Sequence, residues 1–236
     1  EELQAHWRLA TDVARTSDEY GVALRNLFQL EDLKEKDLEA IVIASVVPAL
    51  NLTLQRMCET YFKLTPIFVD HTTRTGLRIN YDSSADLGAD RIVDAVAAVA
   101  KYGAPCIVVD FGTATTFNAI NAAGEFAGGA ISPGLLTCSE ALFSRAAKLP
   151  RVEFTKPENV IGSSTVSAMQ SGLYHGYAGL VDAVLQRMIA ELGGAPRVIA
   201  TGGLAHRVAP ASQFIGDVDD TLTLEGLRLV YERIKV

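Results

Sequence analysis

The chain contains no apolar run that approaches the ~20 residues a bilayer-spanning helix requires, and no signal peptide opens it. Neither membrane insertion nor export is expected. Histidine is scarce, and His6, His71, His175 and His206 fall in no metal-ligand spacing, which speaks against a histidine-based metal centre. Cysteine is equally sparse. Cys58, Cys106 and Cys138 are odd in number, widely spaced and set among apolar neighbours, so they read as reduced core residues of a cytoplasmic protein. Positive charge is in deficit, with 21 Lys and Arg against 28 Asp and Glu and a net charge of −7. Such a surface field repels phosphate and argues against non-specific binding of nucleic acid or anionic membranes. An anionic ligand then needs a local device, such as a helix N-terminus or a single arginine. No internal repeat and no low-complexity linker interrupts the chain. Its 236 residues are 49% hydrophobic, 21% charged and 7% aromatic, a globular composition that suits one large domain or two of ordinary size.

The periodicity of the sequence predicts alternating helices and short strands. EAIVIASVV (39–47) has the β-branched run of a buried strand, and Pro48 then permits a helix over about 49–63. PIFVD (66–70) is a second strand. A helix is predicted from about Asp86 to Tyr102, with Ile92, Val93, Val96 and Val99 on one face and Gly103 ending it. PCIVVD (105–110), TTFNAI (115–120) and EFAGGAI (125–131) read as three strands, the last two joined by the glycine-bearing turn NAAG. Helices are predicted over Leu135–Lys148, Thr165–Leu192 and Leu222–Ile234, with a strand at APRVIATGG (195–203). The pattern is that of α/β layers, sheets covered by helices. A break near Tyr102–Pro105 divides the chain into halves at 1–103 and 104–236.

Several stretches carry chemistry. In DFGTATT (110–116), an aspartate ends a strand, where α/β sheets place ligands. Gly112 lets backbone N–H groups approach a phosphate, Thr113, Thr115 and Thr116 add donors, and Asp110 suits a hard cation. An ordinary polar hairpin turn accounts for the same residues. DLGADR (86–91) opens a helix whose free N–H groups and dipole favour an anion. Asp90 there would be an ionised general base and Arg91 a fork for a carboxylate; the plainer alternative is dipole complementation beside a surface salt bridge. GGAISPG (128–134) and ATGGLA (200–205) both follow a strand with a diglycine and return into a helix, a geometry for close backbone approach to a nucleotide. Ser163 or Ser164 in IGSSTVSAMQSG (161–172) offers simple helix capping. Tyr81 either lines a substrate pocket or is an ordinary half-buried tyrosine.

The order of these stretches is more specific than any one of them. GADR, DFGTATT, GGAISPG, STVSAMQSG, ATGGLA and the closing DDTLTLEGLRLVYERI together resemble the type III pantothenate kinases. The resemblance runs over nearly the whole chain, including EELQAHWRLATD and ALFSRAAKLPRV. It implies a member of the acetate and sugar kinase and actin superfamily, with two ribonuclease-H-like halves facing across a cleft and the C-terminal helix a candidate to pack back on the first half. The implied activity is ATP-dependent phosphorylation of pantothenate, the first committed step toward coenzyme A. Mg²⁺ would accompany ATP, and a monovalent cation, K⁺ or NH₄⁺, would be required. The implied assembly is a homodimer in which the neighbouring subunit completes the pantothenate pocket.

Carried over by motif, Asp90 matches the base that takes the proton of the pantothenate hydroxyl. Gly88, Ala89 and Arg91 match the pantothenate-binding segment, with Arg91 the partner of its carboxylate, and Tyr81 and Thr165 match further substrate contacts. Asp110 matches the monovalent-cation ligand and Thr113 an ATP contact, with Gly112, Gly202 and Gly203 near the nucleotide. Ser164 stands where many members carry asparagine, a small polar change expected to be tolerated. The family opens with a strand and an Asp-x-Gly-Asn-Thr turn that cradles ATP phosphates, whereas EELQAHWRLATD resembles the strand that follows. The natural protein is therefore expected to carry that segment, and a chain without it is expected to fold poorly and show little kinase activity. Two other readings stand beside this one: another small-molecule kinase of the superfamily, and a nucleotide-binding regulator impaired in catalysis.

Overall fold

The computed structural model describes residues 3–146 and 148–235. They form two compact units, one of residues up to Thr73 with Gly88–Asp90, the other of Arg74–Leu87 with residues from Arg91 onward.

The first unit opens with α1 (Ser17–Leu30). Its start is a reciprocal cap, in which Glu19 N–H donates to Thr16 Oγ1 at 3.3 Å and Thr16 N–H donates to Glu19 Oε2 at 2.8 Å. This helix was not among those predicted, although Thr16-x-x-Glu19 is its N-terminal signature. β1 (Val42–Ile43) leads through a 3₁₀ turn to α2 (Asn51–Met57), which continues as a π-helical turn to Phe62 and stops at Lys63 with φ 59°. β2 (Ile67–Phe68) lies parallel to β1. Tyr20, Leu50, Met57, Cys58 and Phe62 form the core, and Phe28 packs 5.5 Å from both Trp7 and Phe62.

The predicted strand over 39–47 is much shorter than expected. Its ladder is limited to Val42 opposite Ile67 and Ile43 opposite Phe68, with flanking bonds Ile67 N–H to Ile41 O and Val69 N–H to Ile43 O. A strand is only as long as its partner, and β2 offers two paired residues. Residues 3–12, expected to resemble a strand, carry no regular element, since a strand exists only where a neighbour completes its ladder.

In the second unit, α3 (Ala89–Tyr102, its first two residues grouped with the first unit) ends at Gly103, whose φ of +81° closes a helix without the strain a side chain would meet. A five-stranded sheet follows from β3 (Cys106–Phe111), β4 (Ala114–Ile120), β5 (Phe126–Pro133), β6 (Arg197–Thr201) and β7 (Asp217–Val218). The strand order is β5-β4-β3-β6-β7; β5, β4 and β3 pair antiparallel, while β3, β6 and β7 run parallel. β3 is central and apolar on both sides, as a strand covered on two faces must be. Ile107, Val109, Phe111, Phe117, Val198 and Ala200 pack against α5 (Thr165–Leu192) and α6 (Ala205–Val208). On that face the Thr115 and Tyr177 hydroxyls share a buried hydrogen bond. Cys106, Val108, Ile120, Phe126 and Ile199 meet α3 and Leu222 of α7 (Leu222–Lys235) on the other. A Cβ on Gly226 would collide with the Val93 carbonyl oxygen, so glycine is what lets α7 seat against α3. α4 spans Leu135–Arg145 rather than 135–148. Pro150 disfavours helix at the residue before it, and Ala146 is already extended; Ala147 lies outside the described residues.

Asp219 ties these elements together. It accepts from Lys101 Nζ at 2.6 Å, from the Tyr102 hydroxyl at 2.9 Å and from Thr221 N–H at 3.2 Å, with only 5% of its side chain exposed. Burial alone would raise this carboxyl, but the Lys101, Tyr102 and Thr221 hydrogen bonds outweigh it and hold it below its ordinary value. A depressed folded-state value contributes stability above the unfolded value and loses it as pH falls through the folded one. Asp219→Ala is expected to lower the unfolding free energy by about 1–3 kcal/mol near neutrality. Urea titrations at several pH values check this, and the gap to wild type should close below about pH 4.

Candidate active site

The carboxyl ends of β3 and β6 lie side by side, and the chain places its polar residues there. Asp110 is directly opposite Thr116 on β4 and Thr201 on β6, so the three side chains form a row across the sheet. Two residues back along β3 and β6, the same face is apolar core (Val108 and Ile199). Gly202 follows with φ +89°, and a Cβ there would collide with Asp110 Oδ1. A Cβ on Gly112 would lie 3.7 Å from Asp110 Oδ2. Asp110 is thus bracketed by two glycines from different strands. The turn between β3 and β4 is tight, with Gly112 N–H donating to Ala114 O at 3.1 Å and Thr113 exposed. Gly134, which opens α4, donates to Thr113 O at 3.1 Å, and Thr137 Oγ1 donates to the same oxygen at 2.8 Å. Open backbone beside one carboxylate is a suitable cradle for phosphate and a hard cation.

A second group forms around Arg91, two residues into α3. Arg91 is buried, 6% exposed, so it does not stand at the surface. The guanidinium carbon lies 5.4 Å from the Phe126 ring centre and 5.9 Å from that of Tyr81, and the two rings meet edge to face at 6.0 Å. Arg91 Nε donates to Asn118 Oδ1 at 2.6 Å. Tyr81 itself is 38% exposed. Arg91 and Tyr81, both selected from sequence, are therefore brought together, on the face of β4 that also carries Thr116.

Asp90 precedes Arg91 in the first turn of α3 and is half-buried. A Cβ on Gly88 would lie 2.5 Å from Asp90 Oδ1, so the carboxylate folds over the glycine that begins the helix. Ala89 is buried. Thr165 is exposed at the first position of α5, behind an N-cap in which Ser167 N–H donates to Ser164 Oγ. Among the described residues, no hydrogen bond joins Thr165 to Asp110 or Arg91, and Gly203 is exposed beyond Gly202. Asn118 and Phe126 belong to these groups but were not singled out from sequence, whereas Gly129 and Thr201 lie in the GGAISPG and ATGGLA stretches. Asn118 left a signal as an amide inside an apolar strand.

Burial pushes the Cys106 thiol up to about 12 and the Cys58 thiol up to about 11, which removes both as nucleophiles near neutrality. Among the described residues no three His, Cys, Asp or Glu side chains gather as a metal cage. A magnesium ion carried on phosphates needs only one or two carboxylates rather than such a cage.

The family model for type III pantothenate kinase matches residues 1–187. A curated type III pantothenate kinase from Koribacter versatilis (strain Ellin345) is 52% identical over 231 residues, covering 98% of this chain and 84% of that protein. Among solved structures, one described as a Baf-family transcriptional activator from Campylobacter jejuni is similar at a TM-score of 0.54, with 19% identity over 89% of each chain. That likeness shows a shared α/β fold.

Gly202 is the most constrained point of the site. Gly202→Ala is expected to lower the unfolding free energy by more than the ~1–2 kcal/mol of left-handed strain, because its Cβ also displaces Asp110. Gly128→Ala is the control: its φ is +125° but a Cβ there meets nothing within 4 Å. Urea denaturation of both variants should rank Gly202→Ala as clearly the more damaging.

Proposed function

Because the chain belongs to the type III pantothenate kinase family, and so transfers phosphate from ATP to pantothenate in coenzyme A biosynthesis, we propose a division of this reaction among the residues described above. The family membership carries the reaction; the arrangement around α3 and the β3 end supports the roles.

Asp90 orients the pantothenate hydroxyl and takes its proton as the in-line transfer proceeds. Its place over Gly88, at the positive end of a helix dipole, supports this role. Arg91 meets the substrate carboxylate, with Gly88, Ala89, Tyr81 and Thr165 as further contacts. Its delocalised charge on a planar fork, beside the Phe126 and Tyr81 rings, supports a bidentate hold. Gly112, Thr113, Gly202 and Gly203 line the path of the nucleotide phosphates. Mg²⁺ supplies charge neutralisation on those phosphates when bound. Asp110 holds the monovalent cation, K⁺ or NH₄⁺, and its two bracketing glycines support close access by an ion and by phosphate oxygens. The working form is a homodimer whose second subunit completes the pantothenate pocket. The protein acts in the cytoplasm, a placement supported by the free thiols of Cys58, Cys106 and Cys138.

Asp90→Asn is expected to reduce kcat by about 10²–10⁴-fold with little change in the KM for pantothenate, as loss of general-base assistance requires. A coupled assay with ATP, pantothenate and K⁺ measures it, and near-wild-type turnover would remove Asp90 from the proton transfer. Asp110→Ala is expected to abolish both the activation by K⁺ and any rise in melting temperature that K⁺ produces. Retention of either K⁺ effect at wild-type strength counts against Asp110 as the ligand.

A further inference from the structure

We propose that Asn118 is a positioning residue for pantothenate: its side-chain oxygen fixes the roll of the Arg91 guanidinium and so the direction in which that fork meets the substrate carboxylate. The proposal rests on the reading of Arg91 as the carboxylate partner.

The chemistry of the contact settles which end of the amide is used. Arginine Nε carries only a donor, so the atom 2.6 Å away on Asn118 must be the oxygen. The amide orientation follows from that bond, and Nδ2 is turned elsewhere. Asn118 is fully buried, and Nδ2 has no hydrogen-bond acceptor among the described residues. A buried amide N–H₂ without an acceptor is unfavourable, and an apolar side chain of similar shape serves packing better. On the same face, Val108 opposite Asn118 and Ile120 two residues on are both apolar and buried. Packing therefore does not explain an asparagine at this site, whereas its oxygen does.

The remaining restraints act on the same guanidinium. Phe126 and Tyr81 lie beside it, with ring centres 5.4 Å and 5.9 Å from the guanidinium carbon and the two rings edge to face with each other. A hydrogen bond at Nε restrains the roll of the fork, since Nε sits at its root and sets where both terminal nitrogens point. Gly129 is the cross-strand partner of Asn118 on β5, and a Cβ there would lie 2.9 Å from Arg91 Nη2 and collide with Phe117 O. Strand register thus delivers an acceptor and clearance to one guanidinium from adjacent strands.

The test is pantothenate and ATP saturation kinetics on the full chain for Asn118→Leu, Arg91→Ala and the double variant, with melting temperatures alongside. Asn118→Leu is expected to raise the KM for pantothenate about tenfold, the scale of a hydrogen bond to a charged group. The KM for ATP should stay near wild type and kcat should change much less. In the Arg91→Ala background the leucine should add less than about twofold, the mark of two residues acting as one unit. If the leucine variant does not fold, Asn118→Ser, too short to reach Nε, replaces it with the same expectation. A wild-type KM for pantothenate in whichever Asn118 variant folds overturns the proposal, as do effects that multiply in the double variant. A wild-type KM in Arg91→Ala alone overturns the parent assignment of Arg91, and is distinguishable because it appears without any change at Asn118.

Discussion

Two parallel strands that end together force the chain to pass over its own carboxylate, and the candidate nucleotide site follows from that crowding. After Asp110 and Thr201 pair, the backbone of β6 must leave the sheet across the Asp110 side chain and the Phe111 amide. Only a residue without Cβ, free to take φ near +89°, can do so. The antiparallel partner adds its own restriction at the same end. The turn at Gly112 and Thr113 is held from outside, because the start of α4 takes two hydrogen bonds to the Thr113 carbonyl. Three chain reversals from different parts of the sequence are thereby fixed around one carboxylate, before any ligand is considered.

The other group depends on the phase of α3. Arg91, Ala95, Ala98 and Tyr102 fall at i, i+4, i+7 and i+11, and Ala95, Ala98 and Tyr102 all contribute to the core beneath the sheet. The arginine occupies the first position of a stripe that is otherwise apolar. Helix geometry alone therefore carries its guanidinium into the interior, over Phe126 rather than into solvent. The small side chains at 95 and 98 let the helix approach the sheet closely enough for Nε to reach Asn118. Asp90, one residue earlier, is rotated by about 100°, which is why adjacent residues have such different surroundings.

Much of the second sheet was legible because its strands are β-branched runs bounded by glycine, and Gly103 and Gly124 mark a helix end and a hairpin with positive φ. EAIVIASVV was over-read for a complementary reason. An apolar run reports burial, whereas a ladder depends on a partner, and β2 offers only two paired residues. α1 went unread although its sequence carries both a capping box and an apolar stripe, Tyr20, Leu24 and Phe28 at i, i+4 and i+8. Within the site, Asp110, Gly112 and Gly202 were visible as punctuation at strand ends. Gly129 was visible only as half of a diglycine and Asn118 only as an amide inside an apolar strand, since their significance comes from being opposite one another across two strands. Register is a property of pairing, and no window of the chain contains it.

An acidic chain that binds anionic partners must concentrate favourable charge where its overall field does not reach. With a net charge of −7, long-range attraction works against both ATP and a carboxylate substrate. Backbone N–H groups exposed by glycine add partial positive charge without adding to the net. A single buried guanidinium acts at short range in a low dielectric, where its interactions are stronger and less screened than on the surface. That strength is useful only if the donor is already aimed, because a buried arginine left to rotate would lose in orientation what it gains in field. The Asn118 oxygen and the neighbouring Phe126 ring contribute to that aim, and both are set by the packing of α3 on β4 and β5.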